Sequence, residues 1–148
     1  MTKHNILFVC IHNSARSQMA EAYLKELGGE LFLAESAGLE PGKLNANVVT
    51  VLAEQGIDIS KHNTQSVFDL FRQGKKYSAV ITVCDGASAE RCPIFPGKVR
   101  RIAWSFSDPS SFTGTQDEIL EQTRTVSQLI KKQVSDFISE ASEFSYWL

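Results

Sequence analysis

The sequence predicts an α/β fold, a four-stranded parallel sheet flanked by helices, and three observations carry that prediction. Four runs rich in apolar residues, at 6–9, 31–37, 78–84 and 99–106, have strand lengths. The runs at 6–9 and 78–84 are continuous rather than alternating, as in strands buried on both faces. Segments with apolar residues at helical spacing stand between and after these runs, and strands alternating with helices build parallel sheets covered on both sides. A chain of 148 residues is read as one domain, 1–148, and its 43% hydrophobic content supports an ordinary core without a disulfide scaffold.

The first element is the strand at Ile6, Leu7, Phe8 and Val9. From Arg16 the period changes: Met19, Ala20, Tyr23, Leu24 and Leu27 recur at three and four residues, which is a helix, and Gly28–Gly29 ends it. Residues 31–37 form the second strand, stopping at Gly38. Pro41 and Gly42 mark a loop. Asn45 caps a helix with Val48, Val51 and Leu52 on its apolar face and Gly56 past its end. A short helix spans 67–72. The third strand, 78–84, ends in Cys84, and a loop of small and polar residues, 85–97, carries Cys92–Pro93. The fourth strand is 99–106, with Ile102 and Trp104 inward, and Asp108–Pro109 breaks the chain after it. Thr115 and Glu118 make a capping box that opens the last helix. Ile119, Val126, Leu129, Ile130, Phe137 and Ile138 are its expected buried face, to about Ala141. Residues 144–148, with Tyr146 and Trp147, read as a tail packed on the surface. Four strands with ligand chemistry at their carboxyl ends fit a flavodoxin-like order, 2-1-3-4.

Composition narrows the function. A net charge of −2 gives no electrostatic basis for binding nucleic acid or an anionic membrane. No apolar run approaches the length of a membrane span. The amino terminus passes directly into the first strand without the pattern of a signal peptide, so a cytoplasmic location is expected. In that compartment three cysteines point to chemistry rather than to structural bridges.

The chemistry gathers in the turn from Cys10 to Ser17, between a strand end and a helix start. A helix N-terminus offers unpaired N–H groups and the positive end of a dipole, and a tight loop of successive N–H groups makes an anion-sized nest. Residues Ile11, His12, Asn13, Ser14, Ala15, Arg16 and Ser17 are the expected oxyanion-binding set. Arg16 can grip two oxygens of a tetrahedral anion. The same field favours thiolate over thiol at Cys10, and Ser17 can donate a hydrogen bond to it. Asn13 suits a left-handed turn. A lone cysteine at a strand end is more often a core residue; Cys and Arg five residues apart between a strand and a helix make a nucleophile with an anion cradle. On the predicted topology Cys84 and Asp108 lie just past strand ends on the same edge of the sheet as Cys10.

The Cys10-x5-Arg16-Ser17 turn after a strand resembles the low-molecular-weight protein tyrosine phosphatase superfamily, and within it the thioredoxin-coupled arsenate reductases. The resemblance runs over nearly the whole chain. It implies that Asp108, in an Asp-Pro pair, is the general acid for the oxygen leaving group. It also implies a relay in which Cys10 attacks arsenate, Cys84 attacks Cys10 to release arsenite, and Cys92 carries the oxidation outward for thioredoxin to reduce. Small residues between Cys84 and Cys92 would let that loop move. No organic cofactor is implied. Some of the resembling reductases hold potassium beside the loop; Asn13, Glu21 and Ser36 match those positions, and no acid matches near Gln65.

Two other readings stand beside the reductase. A phosphomonoesterase of the low-molecular-weight type needs only Cys10, Arg16 and Asp108. The resembling phosphatases usually follow Asp-Pro with an aromatic wall for the substrate ring, where this chain has Ser110 and Ser111. A non-enzymatic oxyanion or redox sensor would use the same cradle, but would have no use for a proton donor at Asp108. His4, His12 and His62 have no metal spacing, and the cysteines have no zinc spacing. Lys98, Arg100 and Arg101 form a small basic run expected on an exposed face.

Overall fold

The computed structural model describes residues 3–84 and 86–148. Its strands are β1 (His4–Cys10), β2 (Phe32–Gly38), β3 (Ala79–Thr82) and β4 (Arg100–Ala103). All pairings are parallel and the order is β2-β1-β3-β4. The helices are α1 (Arg16–Leu27), α2 (Ala46–Ala53), α3 (Val67–Arg72), α4 (Gly86–Ala89) and α5 (Gln116–Ala141).

Side-chain alternation along β1 sorts the interior into two cores. Ile6, Phe8 and Cys10 join Ile81, Met19, Tyr23 and Ile130 on the face covered by α1 and α5. Leu7 and Val9 join Val67, Leu70, Val80, Cys92 and Phe95 on the other. The sheet is therefore buried on both sides, as the unbroken apolar run of β1 requires.

Local signals account for the helix starts. The Asn45 carboxamide accepts hydrogen bonds from the N–H groups of Asn47 and Val48, Ser66 caps α3, and Thr115 with Glu118 closes the capping box on α5. Four elements differ from the sequence reading. The third and fourth strands are shorter than their apolar runs, because β4 is an edge strand that pairs with β3 over only four residues. The loop after Cys84 contains α4; Asp85, which opens that loop, lies outside the described residues. On α5, Leu129 is exposed at 54%, while Thr123 and Ser127 are fully buried. The buried stripe is partly polar because Gln55 Nε2 donates to the Tyr23 hydroxyl, and that hydroxyl lies 2.5 Å from Ser127 Oγ, tying α1 to α5.

The carboxyl-terminal residues pack on the sheet's amino-terminal edge. Trp147 stacks on His4 at 4.0 Å between ring centroids, and its indole N–H donates to the carbonyl of Ala141. Among the described residues no helix is long and apolar enough to cross a membrane.

The two neighbouring α5 positions should separate cleanly in urea unfolding. Ile130→Ala, which empties a fully buried site, should cost about 2–5 kcal/mol, and Leu129→Ala less than about 0.5 kcal/mol.

Candidate active site

β1 runs straight into the turn, and its backbone is arranged in a single sense. Asn13 has φ 56° and is the one non-glycine residue with positive φ among those described, a conformation asparagine tolerates. The carbonyls of five consecutive residues are all engaged on the outside of the turn. Cys10, Ile11, His12 and Ser14 accept from the N–H groups of Leu39, Glu40, Gly42 and Asn45, at 2.7–3.1 Å. Asn13 accepts from Gln18 Nε2 at 3.1 Å. With the carbonyls committed outward, the N–H groups are left for the hollow. The N-terminus of α1, unlike those of α2, α3 and α5, has no side-chain cap. Its orphan donors and dipole end therefore face whatever occupies the hollow.

Gly38 lets the turn sit this close. A β-carbon there would lie 2.8 Å from Asn13 N, His12 C and Ile11 O. The sequence reading takes Gly38 only as a strand end; a glycine closing a strand is the signal that another backbone approaches it.

Hydrogen counting fixes the network behind Cys10. The Asn13 carboxamide oxygen accepts from the N–H of Gln65 at 3.0 Å, which sets the amide's orientation. Its Nδ2 then donates to Ser17 Oγ at 2.8 Å and to Ser36 Oγ at 2.9 Å. Ser17 Oγ, an acceptor from Asn13, has its own hydrogen left for Cys10 Sγ, 2.9 Å away. The Asn13 N–H also points at Cys10 Sγ, at 3.2 Å. Two donors thus converge on one sulfur, an arrangement that suits an anion. Gln18, Gln65 and His62, whose Nδ1 lies 3.1 Å from Gln18 Oε1, complete this support. None of the three carries a sequence signal, because their roles come from the loop conformation.

Arg16 spans the site. Its Nη2 lies 3.6 Å from Asp108 Oδ2, and its Nη1 donates to the carbonyl of Phe106 at 3.2 Å. Arg16 is 6% exposed, and its Nε is buried without a hydrogen-bond partner. A buried donor on a permanent cation is costly to leave unpaired, and a tetrahedral anion in the turn is the natural acceptor. Asp108, capping the turn at Pro109 by accepting from Ser110 N, is held at the rim. The cradle residues 13–17 are all buried, and Cys10 is 2% exposed. His12 is exposed and bonds the Glu40 carbonyl at its Nδ1.

Cys10, Cys84 and Cys92 are thiols rather than disulfides, and all are buried. Val83 N donates to Val9 O, so Cys84 leaves β3 one strand spacing, roughly 5 Å, from the end of β1. It packs in the same core as Cys10. Cys92 lies in the other core, beside Phe95 and Val80. Burial is the main cause that pushes its thiol up to about 11; Arg101 opposes this weakly, and charge on Cys84 adds to it. Cys84 and Cys92 are thus within electrostatic reach of one another, with Cys92 held as a thiol. Of the basic run, Arg100 lies over the ring of Tyr146 at 4.4 Å and is occupied by the tail.

Asn13, Glu21 and Ser36 do come together, but the oxygens a potassium ion would need are committed. Asn13 presents Nδ2 to Ser36 and its oxygen to Gln65 N. The Ser36 carbonyl accepts from Gln65 Nε2 at 2.9 Å, and Ser36 Oγ donates to Glu21 Oε1 at 2.5 Å. Lys25 Nζ sits 2.5 Å from Glu21 Oε2. These residues do not fit a potassium ion.

Comparison with known proteins agrees with this geometry. The family model described as low molecular weight phosphotyrosine protein phosphatase matches residues 5–143. An arsenate reductase of Halalkalibacterium halodurans is 37% identical over 137 residues, 93% of this chain and 96% of that protein. The solved structure of an arsenate reductase in the phosphate binding state is 29% identical with a TM-score of 0.73, covering 94% of this chain and 98% of that one. A thioredoxin-dependent arsenate reductase of Corynebacterium glutamicum is 26% identical with a TM-score of 0.61, covering 90% of this chain and 63% of the other.

Two outcomes follow from the site. Gly38→Ala should displace the turn and lower phosphate affinity by about tenfold or more, measured by calorimetry, because backbone has to move. Cys92 is neutral in the fold, so its contribution should be present below pH 9 and fade as pH rises towards 11. The urea-stability difference between wild type and Cys92→Ala should therefore shrink over that window; a constant difference would contradict the buried thiol.

Proposed function

The chain belongs to the low molecular weight phosphotyrosine protein phosphatase family, and within that family we propose that it reduces arsenate to arsenite through a relay of Cys10, Cys84 and Cys92 recycled by thioredoxin. The observation that carries the oxyanion half is the buried, unpartnered Nε of Arg16 at an uncapped helix N-terminus facing Cys10. The reductase half is supported by Cys84, which sits at the neighbouring strand end in the same core as Cys10. It is supported too by Ser110 and Ser111, which stand where an aryl substrate would need an aromatic wall, and by the names of the relatives.

In the proposed sequence the Cys10 thiolate attacks arsenic, and a hydroxyl group leaves as water with a proton from Asp108. The Cys84 thiolate then attacks Cys10 Sγ. The S–As bonding pair stays on arsenic, which becomes arsenic(III) and departs as arsenite, leaving a Cys10–Cys84 disulfide. Cys92 attacks Cys84, expelling the Cys10 thiolate and forming Cys84–Cys92. The two thiols of thioredoxin reduce that bond and are themselves oxidised. Because Cys92 starts buried and protonated on the other side of the sheet, it has to move and lose its proton after the first disulfide forms. The small residues of the 86–92 segment suit that movement, and the exposed Arg91–Glu40 ion pair, at 2.8 Å, is a weak tether to break. Three cysteines used for chemistry rather than for bridges suit a reducing cytoplasm.

Arsenate should drive NADPH consumption in the presence of thioredoxin and its reductase. Cys84→Ser should abolish multiple turnover, and Asp108→Asn should slow the first step by about a hundredfold. If arsenate elicits no NADPH consumption while an aryl phosphate is hydrolysed, and Cys84→Ser leaves that hydrolysis intact, the protein is a phosphomonoesterase acting through Cys10, Arg16 and Asp108.

A further inference from the structure

The carboxylate of Glu21 is an unusual group to find behind a nucleophile that has to carry negative charge. Its side chain is 10% exposed, and its two oxygens have one partner each. Oε1 accepts the Ser36 hydroxyl and Oε2 the ammonium of Lys25, both at 2.5 Å. A buried carboxylate needs a compensating cation, and Lys25, one turn along α1, brings it from the surface on a side chain that is 52% exposed.

We propose that Lys25 is the built-in cation of the Cys10 site, a positioning residue that acts on the nucleophile through Glu21, Ser36, Asn13 and Ser17. The path follows from donor and acceptor counting. Lys25 pairs with one oxygen of the Glu21 carboxylate, and a carboxylate only accepts, so the single hydrogen of Ser36 goes to the other oxygen. The lone pairs of Ser36 then receive one hydrogen of Asn13 Nδ2, the other goes to Ser17 Oγ, and the hydrogen of Ser17 is left for Cys10. A Glu21 side chain no longer held by Lys25 would let Ser36 reverse and loosen each later link. Lys25 also offsets the negative charge of Glu21, which would otherwise oppose a thiolate. An internal ammonium leaves no task for a dissolved monovalent cation, in keeping with the committed oxygens around Asn13 and Ser36. The proposal rests on Cys10 as the nucleophile, not on arsenate as its substrate.

The test is the rate at which iodoacetamide alkylates Cys10 at neutral pH in a Cys84→Ser/Cys92→Ser background, a readout that needs no oxyanion. Lys25→Met should slow alkylation by about threefold, the scale of one partly screened charge, and Lys25→Arg should restore it. On a Glu21→Gln background, Lys25→Met should add nothing further, because the two residues act as one unit. The unsubstituted Lys25 protein should react equally fast in potassium chloride and choline chloride at the same ionic strength. Alkylation of the Lys25→Met protein at the unsubstituted rate, a full additional loss on Glu21→Gln, or acceleration by potassium with Lys25 present would each overturn the proposal. Failure of arsenate reduction with these results intact would instead count against the reductase reading.

Discussion

Five carbonyls in a row, from Cys10 to Ser14, point away from the hollow beside Cys10 because each has an acceptor role elsewhere. The rest of the site depends on that commitment. A peptide group that turns its oxygen outward turns its N–H inward, so the segment 39–45 and Gln18 together convert an ordinary strand-to-helix connection into a ring of donors. Gly38 allows the close approach, Asn13 supplies the left-handed residue, and α1 adds its uncapped first turn. Arg16 then contributes a permanent charge with one donor unpaired. Every one of these features raises the cost of leaving the hollow empty, and a small oxyanion lowers it.

The strand-turn-helix at the centre was legible in the sequence because each part has its own period or punctuation. The run of Ile6 to Val9, the helical spacing from Met19 and the Gly28–Gly29 stop leave little room for another arrangement. The caps at Asn45 and Thr115 were legible for the same reason, since a capping side chain acts on neighbours within three residues. What depends on the tertiary fold was not. The polar positions Thr123 and Ser127 lie on the buried face of α5, where Ser127 meets Tyr23, 104 positions away in the chain, and Leu129 is displaced to the surface. The roles of Gln18 and Gln65 depend on a loop conformation that no local pattern encodes.

The three cysteines show the same division. Their number and their places near strand ends are read directly from the chain, but the face of the sheet each one occupies is not. Cys10 and Cys84 share a core, while Cys92 is held in the other as a neutral thiol. In the relay reading that separation is functional. A third thiolate lying permanently against the first two would oppose their ionisation by like-charge repulsion. Burial keeps Cys92 a neutral thiol in this arrangement.

The central claim is that the turn after β1 is a site for a tetrahedral anion in contact with a nucleophilic sulfur. It is tested most directly by a crystal structure of the reduced protein grown in phosphate. The account places the anion within hydrogen-bond distance of Arg16 Nε and of first-turn N–H groups of α1, next to Cys10 Sγ. A turn without the anion, or one in which Arg16 Nε pairs with a protein acceptor instead, would contradict it.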